Sequence, residues 1–335
     1  MNFLETAWYS KARWLILLWP LSLLFQLVST LRRKKHKLYS DSSKLSVPVI
    51  VVGNIAVGGT GKTPLLIALV DILKSKGINP GIITRGYGGR AIAYPLEVTP
   101  LTSVSECGDE AILLAEKTGC PVTVGPDRMA ALEALVSGNA VDIVLSDDGM
   151  QHYRLVRDIE ICVVDGQRLF ANGFCLPAGP LREPVQRLKE VDFIVINGKT
   201  SEQSPILESA IEMVMEPKFL INILNKERRP FIGAPFNIGS IVQAVSAIGN
   251  PQRFYDLLDK LPYQVKRFKF PDHHLYSVED LLSAGVDEHQ PVVMTEKDAV
   301  KCRSFARSNY WYLSTQVCLP PTFADEFISR VETLV

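Results

Sequence analysis

Paired cysteines are missing from this chain. Cys107, Cys120, Cys162, Cys175, Cys302 and Cys318 form no Cys-x-x-Cys pair, which argues against a metal clip and a disulfide framework. Single cysteines scattered over apolar segments read as core residues of a reducing compartment. A surplus of either charge is missing too, since 36 basic residues face 36 acidic ones. General nucleic-acid binders carry a basic excess, so no nucleic-acid partner is expected. There is no internal repeat and no low-complexity segment, and 335 residues leave room for two ordinary domains. A cleaved signal peptide does not fit either. The early apolar run has its basic cluster behind it, and no small-residue cleavage site follows.

That run extends from Trp14 to Leu31, and Arg32, Arg33, Lys34, Lys35 and Lys37 follow at once. Its length lies at the lower edge for crossing a bilayer. Ser22, Gln26, Ser29 and Arg33 recur at helical spacing and make one polar stripe. A striped helix suits the membrane interface better than a crossing. Trp8, Tyr9, Trp14 and Trp19 are interface-seeking aromatics. The basic run would meet anionic headgroups on the cytoplasmic side, at about 1 kcal/mol per residue. The soluble alternative is a helix buried on the main domain. Residues 1–37 are therefore read as a membrane-associated helix with a basic cluster, and Ser40-Asp41-Ser42-Ser43 as a polar linker.

What stands out next is Ala56-Val57-Gly58-Gly59-Thr60-Gly61-Lys62-Thr63, between the apolar run Val47–Val52 and a helical pattern from Pro64. A glycine-rich turn between strand and helix presents backbone N–H groups at a helix N-terminus, which cradles phosphate oxygens. Lys62 would reach the β- and γ-phosphates, and the Thr63 hydroxyl would bind Mg²⁺. Ala56 stands where the strict pattern wants glycine, a small change. No Asn-Lys-x-Asp guanine reader is present: Asn225-Lys226-Glu227-Arg228 and Thr295-Glu296-Lys297-Asp298 both miss it. That leans toward ATP.

Around this loop, strands alternate with helices. Strands are expected at Val47–Val52, Gly81–Thr84, Pro121–Val124, Val141–Leu145, Ile159–Val164 and Phe193–Ile196. Helices are expected at Pro64–Lys76, Asp109–Lys117 and Arg128–Val136. Alternation of this kind implies an α/β fold, a phosphate-loop NTPase-type parallel sheet with helices on both faces. Its ligands would bind at the carboxyl ends of the strands. Residues 38–204 form this expected phosphate-loop domain. From residue 205 to 335 the pattern restarts as a smaller α/β domain: strands Ile241–Ile248, Val265–Phe270 and Val292–Thr295, helices Gln252–Leu261 and Thr322–Thr333. The cleft between the two is a natural place for a second substrate.

Several polar clusters fall at these strand ends. Val141–Leu145 leads into Ser146-Asp147-Asp148-Gly149, and such paired acids either hold Mg²⁺ or form a solvated turn. The phosphate loop favours the metal, and the pattern leaves open which of Asp147 and Asp148 touches it. Gln151 and His152 follow directly. Gly108-Asp109-Glu110 opens a helix, where Asp109 reads equally as a cap and as a general base. Asp272-His273-His274 follows a strand, and neighbouring histidines in a strand would point to opposite faces. The loop Arg85-Gly86-Tyr87-Gly88-Gly89-Arg90, with Arg128 and Arg182, supplies cations that could stabilise a transferring phosphoryl group.

Together these pieces resemble the tetraacyldisaccharide 4′-kinase family of lipid A biosynthesis. The resemblance runs through Val52-Gly53-Asn54, the phosphate loop through Pro64, Arg85–Gly88, Gly108–Glu110 and Asp147–His152. It continues through Leu176–Glu183, Ile248–Pro251, Phe270–His273 and Thr295–Asp298. Ala171 and Ala247 stand where glycine would be expected. The resemblance implies transfer of the ATP γ-phosphate to the 4′-hydroxyl of a tetraacyldisaccharide 1-phosphate, at the cytoplasmic face of the bacterial inner membrane. It implies that Asp109 and His273 form a dyad taking the hydroxyl proton. Residues Ala56 to Thr63 would bind ATP, Thr63 and Asp147 would hold Mg²⁺, and Asp148, Gln151, His152, Arg128 and Arg182 would support the site.

Two rivals remain. A membrane-bound ATPase switch also uses a Gly-Gly-x-Gly-Lys-Thr loop, but usually carries a lysine just before the paired glycines, where this chain has Val57. A scaffold that merely binds nucleotide would not need Asp109, Asp147 and His273 together.

Overall fold

A computed structural model describes residues 3–39, 47–200, 204–233 and 235–335. The expected linker Ser40-Asp41-Ser42-Ser43 lies outside them. The N-terminal arm consists of Phe3–Tyr9 (α1), a 3-10 segment Arg13–Leu18, and Trp19–Tyr39 (α2). The chain continues through Val49–Gly53 (β1), Lys62–Ser75 (α3), Pro80–Thr84 (β2), Leu96–Glu97 (β3), Val104–Cys107 (α4), Asp109–Thr118 (α5) and Val122–Val124 (β4). Arg128–Gly138 (α6), Ile143–Asp147 (β5), Ile159–Asp165 (β6) and Phe193–Asn197 (β7) complete the first half. The second half holds Ile211–Asn222 (β8), Arg228–Pro230 (β9), Ile241–Ser246 (β10), Gln252–Leu258 (α7), Gln264–Lys269 (β11) and Val278–Ser283 (α8). Val292–Thr295 (β12), Glu296–Cys302 (α9), Tyr310–Cys318 (β13) and Pro321–Glu332 (α10) end it.

The first-half strands run β3-β4-β2-β5-β1-β6-β7, all parallel except β3. Every residue of β1, β2, β5, β6 and β7 is buried, as a sheet covered on both faces requires. Leu65, Leu66, Leu69, Val70 and Leu73 of α3 cover one face, and Ala131, Leu132 and Leu135 of α6 the other. The chain leaves β1 for β2, two places away, while β6 lies on the other side, so β1 marks the switch point. Ligand crevices open outside the carboxyl ends of strands at such a point, and the glycine loop leaves β1 there.

β8 was not expected, and it is the longest strand. Its first residues pair in parallel with β7, and the rest pairs antiparallel with β13, joining the two halves through one strand. Pro217 and three charges, Glu212, Glu216 and Lys218, mask its strand character. The ladder shifts register between Ser314 and Thr315, beside Pro217, where a residue without an N–H can sit. β10, β11, β12 and β13 are parallel. α10 crosses back to the first half. Phe323, Phe327, Ile328 and Val331 join the core beneath α3, and Phe323 meets Phe193 edge-on at 5.3 Å.

The arm is not the buried helix of the soluble alternative, and its polar stripe is not turned to solvent. Its polar stripe faces the body: Ser22 Oγ donates to the Cys175 carbonyl at 2.6 Å, and Arg33 pairs with Glu190 at 3.0 Å. Trp14, Leu17, Leu21, Leu24, Phe25, Leu27 and Leu31 are left exposed. Residues Arg13–Lys35 are long and apolar enough to cross a membrane, and 11% of that window is buried. A helix buried in the core is thereby excluded.

Phe327 is fully buried in the core that ties the last helix to the first half. Phe327→Ala is expected to cost about 3–5 kcal/mol of folding stability. Thermal unfolding should show a clearly lowered midpoint, and an unchanged midpoint would mean that α10 is not part of that core.

Candidate active site

The glycine loop is held from three sides. Asn54, fully buried just after β1, donates to the Ala56 carbonyl at 2.7 Å, and its Oδ1 receives Lys62 Nζ at 3.4 Å. Asn197, at the end of β7, donates to the Thr60 carbonyl at 2.9 Å. The Val57 N–H donates to Pro180 at 2.8 Å, and the Arg182 N–H to Ile55 at 2.7 Å. Gly61 has φ +98, and a Cβ there would collide with the Asn197 amide. Only glycine fits that close approach. The loop amides are thus positioned at the start of α3, and Lys62 and Thr63 form its first turn.

β5 ends beside β1, with Asp147 registered against Val52. Asp147 is 1% exposed, and its Oδ1 has no hydrogen-bond partner among the described residues. Burial, then the charge of Glu110, push its carboxyl up to about 7. An orphaned buried carboxylate oxygen is what a cation site looks like without its cation. Magnesium usually takes one or two protein carboxylates with phosphate oxygens and water, so Asp147 and the Thr63 hydroxyl suit it. Asp148 differs. Burial would raise its carboxyl, but Lys62 at 3.5 Å and Arg182 at 3.1 Å hold it down to about 2. Arg182 also donates to Gln151 at 3.0 Å, and Gln151 donates to Glu183 at 2.8 Å.

Arg128 is buried at the start of α6 and donates to the carbonyls of Gly125 at 2.6 Å and Asp147 at 3.3 Å. Burial pulls its guanidinium down to about 10. His152 is half-buried. Burial, then Arg128 and Arg85, hold its imidazole near 4, so it is neutral at physiological pH.

Asp109 begins α5 but is 3% exposed, and its Oδ1 lies 3.2 Å from His273 Nδ1. A solvated helix cap would not be so enclosed. His273 comes from the turn after β11, with φ +59 and its ring against Tyr87 at 4.5 Å. His274 turns away, packing on Phe270 and facing Asp280 at 3.4 Å. Two lysines of α9 complete the cluster. Lys297 lies 2.9 Å from Glu110, and Lys301 lies 3.7 Å from Asp109 and 2.8 Å from Asp298. Burial would raise the Asp109 carboxyl. His273, Lys297 and Lys301 outweigh it and hold the group below the ordinary range.

The Arg85–Arg90 loop serves packing as well as charge. A Cβ on Gly89 or Gly108 would strike the facing backbone, so the two segments lie flush and carry Tyr87 over His273. Asn54, Asn197, Glu110, Lys297 and Lys301 were not picked out from sequence as site residues. Lys297 stood in a motif weighed as a guanine reader and counted in the family resemblance without a role of its own, and Asn197 ends a strand with no signal around it. Ala171, where glycine was expected, has φ +52, which accounts for that expectation.

Removing the Asn54 amide would leave the Ala56 carbonyl unpaired and free Lys62. Asn54→Ala is expected to weaken nucleoside triphosphate binding about tenfold, from the ~1–3 kcal/mol cost of a buried unsatisfied group. Isothermal titration with a non-hydrolysable triphosphate would measure it. Unchanged affinity would mean that the loop holds its shape without Asn54.

Known proteins match this arrangement along most of the chain. The family model described as tetraacyldisaccharide-1-P 4′-kinase, LpxK, matches residues 14–332. The tetraacyldisaccharide 4′-kinase of Nitrosococcus oceani is 46% identical, over 97% of this chain and 93% of that one. The tetraacyldisaccharide 4′-kinase of Haemophilus influenzae is 46% identical, over 91% of this chain and 89% of its own. Among solved structures, LpxK from Aquifex aeolicus in complex with ATP superimposes with a TM-score of 0.76 at 28% identity, covering 95% of this chain and 99% of that one. The chain therefore belongs to the tetraacyldisaccharide-1-P 4′-kinase family.

Proposed function

We propose that this chain is a lipid kinase that moves the γ-phosphate of ATP to the 4′-hydroxyl of tetraacyldisaccharide 1-phosphate. The observation that carries the mechanism is the meeting of Asp109 and His273 at 3.2 Å, one from each half of the molecule. The buried, ionised Asp109 takes the proton of the 4′-hydroxyl. The hydroxyl oxygen forms its bond to the γ-phosphorus as the bond to the bridging oxygen breaks, and ADP leaves with that electron pair. Such a transfer needs positioning and charge neutralisation more than covalent help from the protein.

Each remaining side chain has a place in that scheme. The amides of Ala56 to Thr63 hold the phosphates, and Lys62 shifts from Asp148 toward the γ-phosphate when nucleotide enters. Arg182 faces the developing charge, with Asp148 and Gln151 fixing its direction. Arg128 supports the backbone of Asp147 and Gly125, and neutral His152 orients the acceptor. Thr63 and Asp147 would hold Mg²⁺, which neutralises the β- and γ-oxygens when bound. Asp109 and His273 come from different halves and already meet, so the acceptor enters a site whose proton acceptor is assembled beforehand.

The arm supports a peripheral place on the cytoplasmic face of the inner membrane. Its outward apolar face would sink into the leaflet, and exposed Arg32, Lys34 and Lys35 would meet the headgroups. An acceptor anchored by four acyl chains would then reach the cleft without leaving the bilayer. The alternative of an ATPase switch draws no support from relatives that match along nearly the whole chain and are kinases.

Asp109→Asn should cut lipid phosphorylation by roughly 10²–10⁴-fold, the range of a general base, while ATP binding persists. Radiolabelled ATP with the disaccharide acceptor in detergent would measure this. ATP hydrolysis indifferent to acceptor and to Asp109→Asn would sink the kinase mechanism. Leu17→Glu combined with Leu24→Glu should weaken co-sedimentation with anionic vesicles by about tenfold or more, since each buried leucine stabilises by about 1.5–3 kcal/mol. Equal sedimentation of both proteins would rule out the arm as the anchor.

A further inference from the structure

Lys297 has so far been only a neighbour of the dyad. Its Nζ lies 2.9 Å from Glu110 Oε1, 3.2 Å from His273 Nε2 and 4.0 Å from Asp109 Oδ1. Burial would favour loss of its proton, but Glu110, Asp109 and Asp272 outweigh that and raise the group above the ordinary lysine range. It is therefore an ammonium, with N–H donors and no lone pair. The atom it meets on His273 has to accept. Nε2 then carries the lone pair, and the single ring proton is on Nδ1, the nitrogen facing Asp109.

We propose that Lys297 is a positioning residue that locks His273 in the Nδ1–H tautomer, so that the imidazole donates to Asp109 Oδ1 and aims the carboxylate. This rests on the reading of Asp109 and His273 as the proton-accepting dyad, and it divides the labour within that dyad. With Nε2 already bonded to an ammonium, the ring has no vacant nitrogen for the substrate proton. Asp109 is left as the acceptor and His273 as its orienting donor. The rest of the surroundings serves the same arrangement. Tyr87 covers one ring face, the His273 N–H is fixed to the Ala247 carbonyl at 3.2 Å, and Glu110 tethers Lys297 from the other half. Asp109 itself faces His273, Lys297 and Lys301, while Glu110 and Asp272 also act on Lys297, and Asp272 Oδ1 stands 3.9 Å from His273 Nε2, farther than the Lys297 ammonium.

The test uses the full-length protein in detergent, labelled with ¹⁵N-histidine. Long-range ¹H–¹⁵N spectra report which ring nitrogen is protonated, and His273→Gln identifies the resonance among the five histidines. At neutral pH the wild type should show His273 protonated at Nδ1 and bare at Nε2. Lys297→Met should give mixed tautomers and lower kcat by about tenfold, a small part of what a positioned base supplies, with the KM for ATP unchanged. The acid limb of its kcat profile should move to higher pH, because Asp109 loses one of the cations that keep it ionised. Lys297→Arg, which keeps a charged donor, should restore the tautomer and most of the rate even if Lys297→Met folds poorly. A wild-type ring protonated at Nε2, or wild-type tautomer and pH profile in Lys297→Met, would overturn the assignment. His273→Ala separates the two levels. Full turnover there would dissolve the dyad itself, whereas lost turnover there with a silent Lys297→Met would remove only the role of Lys297.

Discussion

A carboxylate with almost no water around it governs this molecule. Asp109 can stay ionised at 3% exposure only if nearby cations and donors replace its hydration. Its own helix supplies the Glu110 N–H at 2.9 Å and little else. The rest comes from the other half of the chain: His273 from the turn after β11, Lys297 and Lys301 from α9. Those groups need anchoring in turn. Asp298 does this for Lys301, while accepting from the Ala247 N–H, Thr295 and Tyr276 in a buried network. Glu110 does it for Lys297. The pairing of α5 with α9, with Lys117–Glu296 at 2.6 Å further along, brings those partners to the buried charge.

Asp147 poses the same problem with a different solution. Among the described residues no lysine or arginine side chain satisfies its Oδ1, and burial pushes its carboxyl toward neutrality. Asp148, one residue on, is fully compensated by Lys62 and Arg182. Adjacent acids on one strand end are thus set far apart in ionisation by their partners. One is an occupied ion pair that triphosphate can compete with, and the other is an uncompensated site suited to a divalent cation. Their side chains divide in this way because β5 ends at Asp147, while Asp148 turns out of the sheet at φ +49. That turn sends consecutive carboxylates toward different neighbours.

How much of this was legible in the sequence depends on range. The strand–loop–helix around Gly58 to Lys62, the buried strands β1, β5 and β6, and the acids at strand ends all follow from local pattern. The fully apolar strands of a two-faced parallel sheet leave little ambiguity. β8 was illegible because it is half edge and half bridge: Glu212, Glu216 and Lys218 put charge on exposed positions, and Pro217 interrupts its ladder where the register shifts. The site was legible as residue types and not as partnerships. Asp109 and His273 are 164 positions apart, and no spacing rule joins them. Family resemblance suggested the pair, but it ran through Lys297 without giving it a role and did not reach Lys301. Their meaning depends on which helix faces α5, a fact of tertiary packing that propensity and period do not contain.

The arm connects these long-range facts to a surface. Its polar stripe looks in isolation like the wet face of an interfacial helix. In the folded chain those groups bind the body instead: Ser22 to Cys175 and Ala178, Trp8 to the Pro177 carbonyl at 3.0 Å, Arg33 to Glu190. The segment that Ser22 and Trp8 grip, residues 174–183, is the one whose Pro180 and Arg182 backbone atoms pin the glycine loop and whose Arg182 side chain faces Asp148. A helix whose outer face is apolar and whose inner face is bonded to the back of the phosphate loop carries that loop wherever it settles. If it settles in a leaflet, the phosphate cradle is held at a fixed height above the lipid, and the distance from bilayer to phosphate becomes a property of the fold. For an acceptor that cannot leave the membrane, that fixed height does part of the positioning that phosphoryl transfer requires.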